Sequence, residues 1–179
     1  MNSSVTTVWR AWESLKLPDC WLVAGCLAQT VWNSRSGLLP DHGISDLDLV
    51  YFDHEDTSAS TEREHAERIR QMFSQLPVWI DVKNEARVHL WYEAKFGKRI
   101  APYTSVMDAI DSFPTTATTI GIRPSAGGAE IYAKFGLSDL FAGIIRANKR
   151  LTTRDVYEAK ASKWRARWPD LTVMSWDRD

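Results

Sequence analysis

The amino-acid sequence predicts an α+β fold, a mixed β-sheet packed by helices, with a helical C-terminal part. Three observations carry that prediction. Strand-like runs occur singly between helical segments in the first half, a pair of such runs flanks the turn Ser125-Ala126-Gly127-Gly128, and helical periodicity fills most of 137–168. A doubly wound parallel sheet would need strand and helix to alternate throughout, and the hairpin breaks that alternation.

Each element follows from local chemistry. Val8, Trp9, Trp12 and Leu15 recur at helical spacing, which predicts a helix over 5–17 that Pro18 stops. The apolar run 21–24 predicts a strand, Gly25 a turn, and 26–32 a helix that ends in the loop 33–37. From 45 to 53 the pattern alternates, with Leu47, Leu49 and Tyr51 on one side and Asp46, Asp48, Val50 and Phe52 on the other, as a strand requires. Thr61 followed by Glu64 reads as a capping box, ahead of the helical stripe Ala66, Ile69, Met72, Phe73 and Leu76. Pro77 ends that helix, and 78–83 alternates again as a strand with Asp81 and Lys83 on one face. Helices are predicted over 85–96 and 105–113, strands over 117–123 and 130–135, and helices over 137–147 and 153–168. The whole of 1–179 is expected to form one domain, with a core at 19–100 and a C-terminal hairpin and helices at 101–179.

Composition narrows the functional classes. With 22 basic and 23 acidic residues the net charge is -1, so no overall positive field favours a nucleic acid backbone. Cys20 and Cys26 lack zinc-ligand spacing and fit a reduced environment. No run approaches the ~20 apolar residues that span a bilayer, and the polar start lacks secretory order. The expectation is a cytoplasmic protein with no membrane partner.

Asp46 and Asp48, two apart on a strand, present both carboxylates to one face. Like charges so placed repel unless something positive offsets them, and a bound metal ion is one such offset; a solvated strand face is the plainer alternative. Asp81 offers a third carboxylate on another strand, and three acids that converge could gather divalent metal around a triphosphate. Gly25, between strand and helix, would let phosphate approach the helix N-terminus, although a lone glycine there is also an ordinary turn.

These residues carry a resemblance. Gly25-Cys26, Ser45-Asp46-Leu47-Asp48-Leu49 and Trp79-Ile80-Asp81-Val82 resemble the glycine-serine, acid-x-acid and later third acid of the DNA polymerase beta superfamily of nucleotidyltransferases. More narrowly, WLVAGCLAQTVWN, ISDLDLVYFD, WIDVKNEARVHLWY, PYTSVMDAIDSFPTTATTIGIR, GLSDLFAGIIRANKR and YEAKASKWRARWPDL resemble a family of small bacterial nucleotidyltransferases of unknown substrate, over 21–171. The resemblance implies a nucleotidyltransferase-type core in which Asp46 and Asp48 bind Mg²⁺ or Mn²⁺, with Asp81 acting beside them at the attacking hydroxyl. It further implies that Gly25, Cys26 and Ser45 touch the nucleoside triphosphate. Cys26 stands where the superfamily has serine, and a thiol donates more weakly than a hydroxyl. That departure keeps open a second reading, a non-catalytic nucleotide-binding or protein-interaction module of the same fold. The acceptor, whether small molecule, protein or RNA, is not specified.

Lys83 and Arg87 are candidate phosphate clamps, and His89 is a weaker candidate set among apolar neighbours. The hydroxyl-rich 114–119 could line a base or acceptor pocket or simply lead into a strand. The basic loop 146–150 fits a helix C-terminus. On the last helix Lys160, Lys163, Arg165 and Arg167 interleave with Trp164 and Trp168; the sequence reading gives them no single basic face and assigns the tryptophans to docking.

Overall fold

A computed structural model describes residues 2–178. The chain opens with α1 (Ser3–Arg10), capped by the Asn2 side chain, which accepts from the Val5 amide. After a break at Ala11 it continues in α2 (Trp12–Leu15). The single helix expected over 5–17 is therefore two, and both Val8 and Leu15 are buried in the core. Then come β1 (Trp21–Val23), α3 (Gly25–Arg35), β2 (Asp46–Tyr51), α4 (Ala59–Met72) and β3 (Trp79–Asn84). A 3-10 turn at Glu85–Arg87 leads into α5 (Val88–Phe96), which Gly97 ends, as expected.

The remainder is α6 (Val106–Ile110), β4 (Ile120–Ser125), β5 (Gly128–Ala133), α7 (Ser138–Ala142), β6 (Ile144–Ile145), α8 (Arg154–Arg167) and β7 (Thr172–Val173). The sheet order is β3-β2-β1-β4-β5, antiparallel except for the parallel pair β2–β3. A mixed sheet is what the sequence predicts, and the hairpin β4–β5 closes at Ser125 and Gly128 as expected.

Three local expectations are corrected. The cap of α4 is Ser58, whose hydroxyl accepts from the Thr61 amide, so the helix starts a turn earlier than a Thr61 cap would allow. On that helix Ala66, Ile69 and Phe73 are buried, but Met72 is 41% exposed. The helix expected over 137–147 stops after Ala142, because Gly143 adopts φ +68 beside the Arg35 guanidinium, where a Cβ would clash at 2.9 Å. The freed chain forms β6, which pairs with β7 in a two-stranded parallel sheet.

Strand alternation sorts the core. Leu22, Leu47, Leu49, Tyr51, Ile80 and Val82 form one sheet face and join Ala28, Trp32, Ile69, Phe73, Trp164 and Trp168 in the main cluster. Trp21, Val23 and Val50 face the other way and meet Val106 and Ile110 of α6. Asp46 and Asp48 share this second face with Val50, toward the start of β2. Burying Val50 on the sheet and Ile110 on the helix stabilises each by about 1.5–3 kcal/mol relative to exposure. That packing fixes the register on which the acids ride.

Candidate active site

The acids are brought together by strand register. In the parallel pair, Asp48 of β2 is the direct partner of Asp81 of β3, and Asp46 is the partner of Trp79. Burial, followed by the charges of Asp46 and Asp81, pushes the Asp48 carboxyl up to about 7, while Lys160 and Lys83 pull in the opposite direction. The Ser45 hydroxyl donates to Asp46 Oδ1 at 2.7 Å. Asp81 Oδ1 lies 3.4 Å from Lys83 Nζ and 3.5 Å from Arg70 Nη2. Arg70 is held in turn by donating from Nε to the Ile80 carbonyl at 2.9 Å and by stacking over the Trp79 ring.

Beside the acids, where Val23 pairs with Asp48, β1 turns sharply into α3. Ala24 takes φ +60 and ψ -125, a left-handed conformation that a non-glycine residue adopts at a cost of ~1–3 kcal/mol. Gly25 has no such backbone demand. A Cβ there would meet only Gln29 Nε2, at 3.2 Å, the far end of a flexible side chain, so the surrounding packing does not demand glycine either. The first-turn amides of α3 lack intrahelical partners and favour an anion.

Cys26 does not line this space with its side chain. The thiol is buried in the main core and donates to the Val23 carbonyl at 3.5 Å, and burial raises its pKa strongly. The side-chain contact with phosphate that the sequence reading gave to Cys26 is therefore corrected to a packing role.

A cleft of about 300 Å³ separates Gly25 and the Asp46–Asp48 pair from α8. Lys160, Lys163 and Arg167 of that helix line it, together with Trp164. The expectation that these cations share no face is thereby corrected. Positions 160, 163, 164 and 167 follow the i, i+3, i+4, i+7 spacing of one helical face, and that spacing is the signal that could have found them. Trp164 and Trp168 dock the helix as expected, both buried, with Trp168 Nε1 donating to Asn33 Oδ1 at 2.7 Å.

The other candidates separate clearly. Lys83 stands beside Asp81 and lines the space next to it. Arg87 turns away, pairing with Glu62 at 2.6 Å, with both side chains 12% exposed, and donating to the Thr57 carbonyl. That geometry does not place it among the cleft residues. Thr118 lines the cleft, but its hydroxyl is shared with that of Thr115 at 2.8 Å, and Thr116 and Thr119 likewise spend their hydroxyls on internal hydrogen bonds, with Thr116 donating to Asp139. In the 146–150 loop, Arg146 pairs with Asp139 and Arg150 with Asp108. Both cysteines are free and buried.

The donor set can be tested against a divalent cation. Among the described residues no group of three His, Cys, Asp or Glu side chains is arranged to hold an ion, since Asp81 is directed to Arg70 and Lys83. Asp46 and Asp48 nevertheless fit one. Mg²⁺ is commonly held by one or two carboxylates with substrate phosphates completing the shell, and Asp46 and Asp48, on one face of β2 and both lining the cleft, supply that pair.

A family model described as nucleotidyltransferase matches residues 10–173. The chain belongs to this nucleotidyltransferase family. No curated protein matches it in sequence. Among solved structures, an NMR structure described as revealing a CCA-adding enzyme head domain has a TM-score of 0.79 at 25% identity, covering 97% of this chain and 91% of that one. The Thermotoga maritima CCA-adding enzyme complexed with tRNA has a TM-score of 0.58 at 15% identity, covering 98% of this chain and 40% of its own. A tRNA-processing enzyme in an apo form has a TM-score of 0.52 at 13% identity, covering 93% and 44%. The chain thus spans less than half of these last two proteins, and they share its fold. The mixed sheet of the nucleotidyltransferase family is the fold that the sequence predicts. Among the described residues no helix is long and apolar enough to cross a membrane.

Proposed function

We propose that this family member is a single-domain, divalent-metal-dependent enzyme of the cytoplasm. It moves a nucleoside monophosphate from a nucleoside triphosphate, ATP among them, to a hydroxyl of an acceptor. One observation carries the reading: the Asp46–Asp48 pair and the adjoining start of α3 line a cleft whose far wall presents Lys160, Lys163 and Arg167.

The roles follow from charge. Amides of the Ala24–Gly25 turn and the three α8 cations hold the polyphosphate, and Ser45 holds Asp46 in place. Asp46 and Asp48 would hold Mg²⁺ or Mn²⁺, which neutralises phosphate charge and orients the reacting phosphoryl group. The acceptor oxygen bonds to the α-phosphorus as the bond from that phosphorus to the bridging oxygen breaks, and pyrophosphate leaves. The hydroxyl proton passes to the Asp81 carboxylate, which Lys83 and Arg70 hold in place. The tRNA named for two structural neighbours brings RNA among the acceptors, although the net charge of -1 does not favour it.

A second reading has its own observation. Asp81 is engaged by Arg70 and Lys83, which suits a nucleotide-binding module without turnover. Incubation with labelled triphosphates, Mg²⁺ and a cell lysate separates the two. Transfer of label that is lost in Asp46→Asn with Asp48→Asn supports the enzyme, whereas metal-dependent binding with no labelled product supports the module.

A further inference from the structure

Beside the acids lies a second, larger cavity of about 410 Å³, within the usual range for small-molecule sites. Its outer wall is aromatic. Trp91, Tyr92 and Phe96 project from a little over one turn of α5, with the Tyr92 and Phe96 rings 4.6 Å apart, and Val156 of α8 faces them. Several of its polar groups are already engaged. Tyr103 and Ser112 share a hydrogen bond of 2.7 Å, Thr153 caps α8, and Lys83 pairs with Asp81.

Glu85 differs. It is only 7% exposed, it lines this cavity, and among the described residues no hydrogen bond or ion pair reaches its carboxyl group. A buried polar group without a partner is costly, and at the wall of a cavity it suits a ligand that supplies one. Lys83, Glu85, Phe113 and Pro114 also line a smaller space of about 190 Å³ that contains Asp48 and Asp81. The aromatic cavity therefore adjoins, through these shared residues, a space that reaches Asp48, Asp81 and Ala24 at the edge of the phosphate-facing turn.

We propose that this cavity is the acceptor pocket and that its occupant is a small molecule with a flat apolar ring system, bound against Trp91, Tyr92 and Phe96. Its hydroxyl group lies between Glu85 and Asp81. The inference rests on the nucleotidyltransferase reading and adds the acceptor class. Three features favour a ring over an RNA end. The lining is mostly apolar, the α8 cations Lys163 and Arg167 belong to the other cleft, and an acceptor that attacks opposite the departing pyrophosphate must approach from the Asp81 side.

The test uses the full chain with Mg²⁺, α,β-methylene-ATP as the nucleotide probe and naphthalen-2-ylmethanol as the acceptor probe, followed by calorimetry. The expected result is binding of the alcohol below about 1 mM, the upper end of ordinary KM values. Val156→Trp fills the cavity from an exposed helix position and should weaken the alcohol at least about tenfold while nucleotide affinity holds. Glu85→Gln, which keeps the shape, should weaken it by about threefold or more. Retained nucleotide binding shows that both variants are folded. Nucleotide binding without alcohol binding, or alcohol binding indifferent to Val156→Trp, overturns the pocket and leaves the parent reading standing. Loss of alcohol binding together with displacement of a tRNA 3′ end by Val156→Trp overturns it in favour of RNA. Absence of metal-dependent nucleotide binding removes both readings.

Discussion

The two chambers beside β2 share Pro114 and Lys160 and differ in almost everything else. One, about 300 Å³, is walled by Asp46, Asp48, a helix start and three cations; the other, about 410 Å³, is walled by aromatic rings around a single unpartnered carboxyl group. On the proposed reading, charge would recognise a polyphosphate in the first, and shape and burial would recognise a ring in the second. One short strand would then serve two unlike ligands because its acids sit on the boundary.

The largest test of that contrast removes two cations from the wall facing the acids, Lys163 within that chamber and Lys160 on the boundary of both. Lys160→Ala combined with Lys163→Ala deletes two charge-assisted contacts of about 1.5–3 kcal/mol each, so triphosphate affinity should fall about a hundredfold or more in a titration. Unfolding midpoints should hardly move, because both side chains face the cleft.

Arg87→Met tests the opposite assignment. It breaks the nearly buried pair with Glu62 and leaves that carboxylate without its cation, so chemical denaturation should report a loss of about 2–4 kcal/mol. Nucleotide affinity should be unchanged; a parallel loss of affinity would return Arg87 to the phosphate site.

Glu85 sharpens the contrast through pH. Burial, then Glu62, Asp48 and Asp81, push its carboxyl up to about 8, so the folded protein retains a proton that the unfolded chain releases near the ordinary glutamate range. Its stability contribution is complete below that ordinary range and is lost as pH rises through about 8. Glu85→Gln should therefore raise the melting temperature by about 5 °C at pH near 8, with the gain shrinking toward pH near 5. The residual slope belongs to Asp48, whose carboxyl is raised in the same sense.

Cys26→Ser should do least. The thiol points into the core and not into the cleft, so transfer rate and nucleotide affinity should stay within about twofold, with a stability loss near 1 kcal/mol at most. A large gain in rate would mean that this position does reach phosphate.

How far the sequence could be read depended on the range of the signal. Period-two alternation placed Leu47, Leu49 and Tyr51 inside and Asp46 and Asp48 together, because a strand fixes side-chain direction residue by residue. The Ser125–Gly128 turn gave the hairpin for the same local reason. Cys26 misled because its place in the motif says nothing about which way a first-turn side chain points once the helix docks. The strain at Ala24 was invisible, since nothing in alanine marks a left-handed conformation and the neighbouring glycine drew the attention. The faces of α8 were a matter of arithmetic that the tryptophans obscured. The aromatic chamber depends on α5, α6 and α8 meeting around the end of β3, a juxtaposition that no window of consecutive residues contains.

The anchoring of α8 has a mechanical consequence. Its far end is pinned where the Trp168 indole donates to Asn33 and the Arg167 guanidinium donates to the Gly43 carbonyl, tying the helix to α3 and to the approach to β2. Asn33 also holds the 37–45 loop by donating to the carbonyls of Pro40 and His42. The aperture between cations and acids is thus set by one clasp at the rim, and loosening it lets the cationic jaw swing away while the sheet stays intact. Grip on the triphosphate would then fade on heating before the strands melt.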